Sequence, residues 1–119
     1  MLSGTCGENL TWTLDGDTLT INGAGDMEEY NTFSKDRAPW FERRDLIKRI
    51  VIADGVTKIG LFAFEYCKNL TEVKIPASVI YLGEEIFDGC TSLKRIYYKA
   101  GSGFEDKLRE SNDAELIPY

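Results

Sequence analysis

The chain has 119 residues, and at roughly 100–200 residues per domain this predicts a single domain over 1–119. Lys plus Arg number 14 against 20 Asp plus Glu, a net charge of −6 that argues against nucleic acid or an anionic membrane as partner. There is no histidine, which excludes Ser-His and Cys-His catalysis and any histidine-ligated zinc.

No run approaches the roughly 18 apolar residues of a membrane span, so no membrane insertion is expected. Met1-Leu2-Ser3 leads at once into Gly4-Thr5-Cys6, without the basic start and apolar stretch of a signal peptide. A cytosolic protein and one whose targeting segment has been removed both fit such a start.

Residues 9–23 predict a hairpin. Leu10, Trp12 and Leu14 alternate, Asp15-Gly16-Asp17 turns, and Leu19 and Ile21 alternate back. A polar link carrying Tyr30, Phe33 and Trp40 follows, then a short helical turn over Phe41 to Leu46. Asp15-Gly16-Asp17 lacks the rest of a calcium-binding loop and is read as the turn. Gly23-Ala24-Gly25-Asp26 is too short for a dinucleotide fingerprint and has no helix after it. Glu28-Glu29 and Glu84-Glu85 are adjacent pairs, and neighbours on a strand point apart, so neither makes a glycosidase pair.

From residue 46 a repeat dominates. At one ungapped offset of 23 residues, Ile47 superposes on Leu70, Ile50 on Val73, Ile52 on Ile75 and Val56 on Val79. Ile59 likewise meets Leu82, Gly60 meets Gly83, Phe64 meets Phe87 and Cys67 meets Cys90, and a third copy opens with Leu93, Ile96 and Tyr98. A period of this length opening L-x-x-V-x-I is a leucine-rich-repeat signature, with one strand per coil and an irregular return arm. Stacked coils then build a parallel sheet at about 4.8 Å spacing, with Phe64 and Phe87 filling the interior from the far side. Gly60 and Gly83 are expected at the corner into the return arm, supplying a backbone conformation that a Cβ resists. After Gly101-Ser102-Gly103, Phe104 and Leu108 predict a short helix over 103–110, and Leu116-Ile117 before Pro118 a final edge strand.

Three cysteines cannot all pair within the chain, and none sits in a C-x-x-C, so neither zinc nor thioredoxin-type chemistry is indicated. Cys67 and Cys90 share a repeat position, which puts their Cα atoms about 5 Å apart, inside the disulfide window. Equivalent side chains point in parallel, however, and a ladder of reduced thiols is favoured over a disulfide. No cofactor and no metal site is expected.

The chain resembles the BspA-like leucine-rich repeats of bacteria and some protists. The resemblance rests on Gly55-Val56-Thr57-Lys58-Ile59-Gly60, Ala63-Phe64 followed by Cys67, Leu70, Ile75-Pro76-Ala77-Ser78-Val79 and Phe87-Asp88-Gly89-Cys90. Gly4-Thr5-Cys6-Gly7, Leu10-Thr11-Trp12-Thr13-Leu14, Leu19-Thr20-Ile21, Gly23-Ala24-Gly25 and Pro39-Trp40 resemble the approach to such repeats. Ile86 stands where Ala63 does, and Tyr66 where Gly89 does.

The fold expected is α+β, mostly β and irregular. It is a short right-handed leucine-rich-repeat solenoid with a parallel sheet, a β-hairpin cap within 1–45, repeats over 46–98 and a short helical cap within 99–119. The resemblance implies a secreted or cell-surface bacterial protein engaged in adhesion or host contact. Such a solenoid offers a surface and no reaction centre, so a monomeric, non-enzymatic protein-binding module is expected. A structural spacer and a carbohydrate-binding accessory domain are the alternatives. Alternation turns Ile50, Ile52, Val73, Ile75, Ile96 and Tyr98 inward, and leaves Arg49, Val51, Glu72, Lys74, Arg95 and Tyr97 outward as the candidate partner-binding residues.

Overall fold

The computed structural model describes residues 1–110 and 112–119. In each repeat an alternation of three or four residues makes one short strand. β5 (Arg49–Ile52) buries Ile50 and Ile52, β7 (Glu72–Lys74) buries Val73, and β9 (Arg95–Tyr98) buries Ile96 and Tyr98. These strands pair in parallel and in step with the repeat, Arg49 opposite Glu72 and Glu72 opposite Arg95. Because period and register agree, each inward side chain lands on its own equivalent, and the core builds up as columns.

The sheet extends beyond the repeats on both sides. The hairpin segment forms β2 (Leu10–Asp15) and β3 (Thr18–Gly23), joined by a turn in which Gly16 takes a φ of 63°. β3 pairs in parallel with β5, Leu19 facing Ile50 and Ile21 facing Ile52, so the hairpin continues the repeat sheet directly. An outer strand absent from the sequence reading, β1 (Leu2–Gly7), pairs antiparallel with β2. At the opposite edge β10 (Glu115–Pro118) lies parallel to β9, giving seven strands in the order β1-β2-β3-β5-β7-β9-β10. Helix α1 (Glu105–Arg109) precedes β10 and buries Leu108, while Phe41–Leu46 forms a 3-10 turn.

The return arms are not irregular, as the sequence suggested. β4 (Gly25–Asp26), β6 (Val56–Ile59) and β8 (Tyr81–Leu82) form a second, three-stranded parallel sheet. The reason is the same 23-residue step: neighbouring arms run in register, so backbone N–H groups of one arm meet carbonyls of the adjacent coil. Ile80 donates to Thr57 O at 2.9 Å and Gly83 to Ile59 O at 2.8 Å.

The role of Gly60 and Gly83 also differs from expectation. Neither has a positive φ. A Cβ on Gly60 would run into the Glu28 carbonyl oxygen, and one on Gly83 would lie 2.6 Å from the Gly60 carbonyl carbon. Close approach of stacked backbones excludes a side chain here. Left-handed backbone is found instead at two pairs of equivalent repeat positions, Phe62 (57°) with Glu85 (53°) and Tyr66 (62°) with Gly89 (75°).

Inside, Phe64 stacks on Phe87 with centroids 5.9 Å apart, and Trp40 stacks on Phe64 at 5.8 Å. Trp12 and Tyr30 meet Trp40 edge-on, and Trp40 Nε1 donates to Ala63 O at 2.8 Å. All three cysteines are free and buried.

Candidate functional site

The outward residues of the repeat strands form two columns across the sheet. Strand register places Thr18, Arg49, Glu72, Arg95 and Glu115 in one line. Its charged members alternate in sign from Arg49 to Glu115. Within it the Arg95 guanidinium donates from Nε (3.2 Å) and Nη2 (3.1 Å) to Glu72 Oε2, in the open. The Glu72 carboxylate raises the Arg95 pKa further above its ordinary value. An exposed pair of this kind holds two side chains in place and adds little stability.

The second column is apolar and amphipathic. Thr20 faces Val51 across β3 and β5, and Lys74 faces Tyr97, which in turn faces Ile117. Val51 is exposed and Tyr97 half-buried. The Lys74 ammonium sits 4.8 Å from the Tyr119 ring centroid, bracing that end. Between the columns Arg49, Glu72, Lys74 and Tyr97, floored by Ile50 and Val73, line a groove of about 320 Å³.

The structure thus brings all six sequence-named residues onto one face. The sequence reading missed that this face continues: Thr18 and Thr20 extend it at one side, Glu115 and Ile117 at the other. Their signal was weak because it is a register across non-repeating strands, where no fixed offset exists.

A second surface lies on the return-arm side. Tyr81 is exposed between two ammonium groups, Lys58 at 5.3 Å and Lys107 at 5.5 Å from its ring centroid. Each lysine is anchored, Lys58 on Glu29 and Lys107 on Glu84 at 2.9 Å. The thiols belong to neither surface. Burial, with the Glu28 charge adding, pushes Cys6 up to about 12, and burial likewise takes Cys90 to about 12. Thiols so raised make poor nucleophiles.

Residues 37–105 match the family described as BspA type leucine rich repeat region (6 copies). The chain belongs to this family. Among solved structures, a leucine-rich repeat protein from Eubacterium ventriosum superposes with a TM-score of 0.73 at 24% sequence identity. The match covers 98% of this chain and 27% of that one, so the chain spans about a quarter of the length of that leucine-rich repeat protein. No curated protein matches the chain. Among the described residues, no helix is long and apolar enough to cross a membrane.

Proposed function

We propose that this BspA-type chain is a non-catalytic protein-recognition module whose docking surface is the outer face of the seven-stranded sheet. In this reading it is one domain, a short right-handed solenoid. Residues 1–45 cap the N-terminal end, 46–98 supply the repeats, and 99–119 cap the other end. The family resemblance favours a secreted or cell-surface setting, with adhesion or host contact as the role.

The observation that carries the reading is one groove lined by Arg49 and Glu72 of the charge column and by Lys74 and Tyr97 of the second column. Tyr and Arg are the residue types that dominate binding hot spots, and here Arg95 is already held by Glu72. The six gaps of about 4.8 Å between seven strands, by about 13 Å of strand, give a face of about 370 Å². That is about half of the roughly 800 Å² per partner in a stable interface, so binding through this module alone is micromolar or weaker.

Placing a photocrosslinking residue at exposed Val51 captures the partner, and titration of that partner then tests the face. Arg95→Ala with Tyr97→Ala is expected to weaken binding at least tenfold while circular dichroism stays native. Unchanged affinity in the folded variant moves the docking surface to the return arms around Phe62 and Tyr81. A partner that is an oligosaccharide would favour a carbohydrate-binding accessory domain, and no partner in any context a structural spacer.

A further inference from the structure

Independently of the sheet face, three carboxylates meet where the two complete coils adjoin. Glu65, Glu85 and Asp88 each place one oxygen within 4.8 Å of the other two. Glu65 and Asp88 occupy the same repeat position, directly after the stacked Phe64 and Phe87. Glu85 occupies the position of Phe62, and both hold a left-handed backbone. The backbones around the cluster are tied together, Tyr66 donating to Asp88 O at 2.7 Å and Asp88 to Glu85 O at 3.4 Å.

The cluster is graded in depth. Glu85 is exposed, Asp88 half-buried, and Glu65 is only 2% exposed, with neither carboxylate oxygen hydrogen-bonded. Burial pushes the Glu65 carboxyl up. The Thr32 hydroxyl beside it, outside hydrogen-bond geometry, works the other way, and the Asp88 and Glu85 charges add to the rise. The ion pairs found among the described residues use Arg37, Lys58, Lys68, Arg95 and Lys107 on other carboxylates. A buried, unpartnered carboxylate beside two like charges is relieved by taking up a proton or by a cation that all three carboxylates share.

We propose that Glu65, Glu85 and Asp88 form a binding site for a divalent cation of the calcium class. Oxygens mutually within 4.8 Å can share one ion at the roughly 2.3–2.6 Å of calcium–oxygen bonds. The donor set is all oxygen and lacks the nitrogen and sulfur that zinc prefers. The exposed Glu85 side leaves room for the waters that complete calcium's six to eight ligands. Since Glu65 comes from one coil and Glu85 and Asp88 from the next, the ion bridges consecutive repeats.

Calorimetric titration of calcium chloride into the EDTA-treated chain is expected to give one ion per chain, with a Kd of about 0.1–1 mM. At about 10 mM calcium, against sodium chloride of equal ionic strength, Tm should rise by about 4 °C or more. Glu65→Gln should abolish both effects. Glu85→Gln, at an exposed position, and Asp88→Asn should each weaken binding about tenfold and keep the inference testable should the buried variant not fold. No calcium heat and no Tm shift in the folded wild type overturn the site. So does a folded Glu85→Gln, Asp88→Asn double variant that binds calcium as the wild type does.

Discussion

Gly83 lies directly over Gly60, and the coils approach there as closely as two backbones can. A methyl group at Gly83 would meet the Gly60 carbonyl carbon at 2.6 Å, and its backbone N–H already donates to Ile59 O. The neighbour is main chain just beyond the end of β6, not the far end of a flexible side chain, and cannot swing aside. Gly83→Ala is therefore expected to cost about 1–3 kcal/mol, the range of overpacked sites, as read by urea denaturation. An unchanged midpoint would mean the coils separate freely. The cysteines follow a similar logic of enclosure. Cys90 Sγ donates to Phe64 O at 3.2 Å, and burial pushes the Cys67 thiol well above its ordinary value. Iodoacetamide at pH 8 should leave all three thiols of the native chain largely unmodified and label all three after unfolding. A Cys67–Cys90 disulfide in the mass spectrum of the non-reduced chain would overturn the picture of free thiols.

The elements differ in how plainly the sequence announces them. β5, β7 and β9 are legible because alternation and the 23-residue offset agree, and this alone turns the six candidate residues outward. β2 and β3 are legible because two alternating runs flank a glycine turn. β1 is not, since Leu2–Gly7 has no such alternation and its strand state comes from pairing with β2. β6 and β8 are hidden for another reason: each is short, and neither alternates. Their order arises only when the next arm lies alongside, which is a tertiary effect. Ser78 shows how the arms are locked. Its hydroxyl donates to Val56 O at 2.8 Å and accepts from Gly55 N at 3.0 Å, one full repeat away. Ser78→Ala leaves both groups short of a partner, so a loss of about 1–2 kcal/mol is expected. The Gly55 amide should also exchange faster with deuterium, and unaltered protection there would mean the arms hold without this bridge. The acidic cluster was illegible for the same reason as the return-arm sheet, since its members are 20 and 23 residues from Glu65 and meet only through stacking.

At the scale of the whole molecule, the repeat stacks Phe64 on Phe87, and two tryptophans from outside the repeat extend the pair into a continuous aromatic column. Trp12 meets Trp40 edge-on, Trp40 stacks on Phe64, and Phe64 stacks on Phe87, so the column runs from the hairpin to the second complete coil. Phe64 and Phe87 are fully buried, and Phe87→Ala is expected to cost about 3–5 kcal/mol through lost burial and a cavity. Phe64 touches rings on both sides, so Phe64→Ala should cost at least as much, and the double variant should depart from additivity by about 0.5–1.5 kcal/mol. The column also predicts how the molecule comes apart. Both tryptophans lie in the first 40 residues, whereas Phe87 lies in the second coil. If hairpin and coils share one core, tryptophan fluorescence and far-ultraviolet circular dichroism should report a single coincident transition. Phe87→Ala should then shift the fluorescence midpoint as far as the dichroism midpoint, although no tryptophan touches Phe87 directly. A fluorescence transition left in place while the dichroism midpoint falls would show that the N-terminal strands fold apart from the repeats.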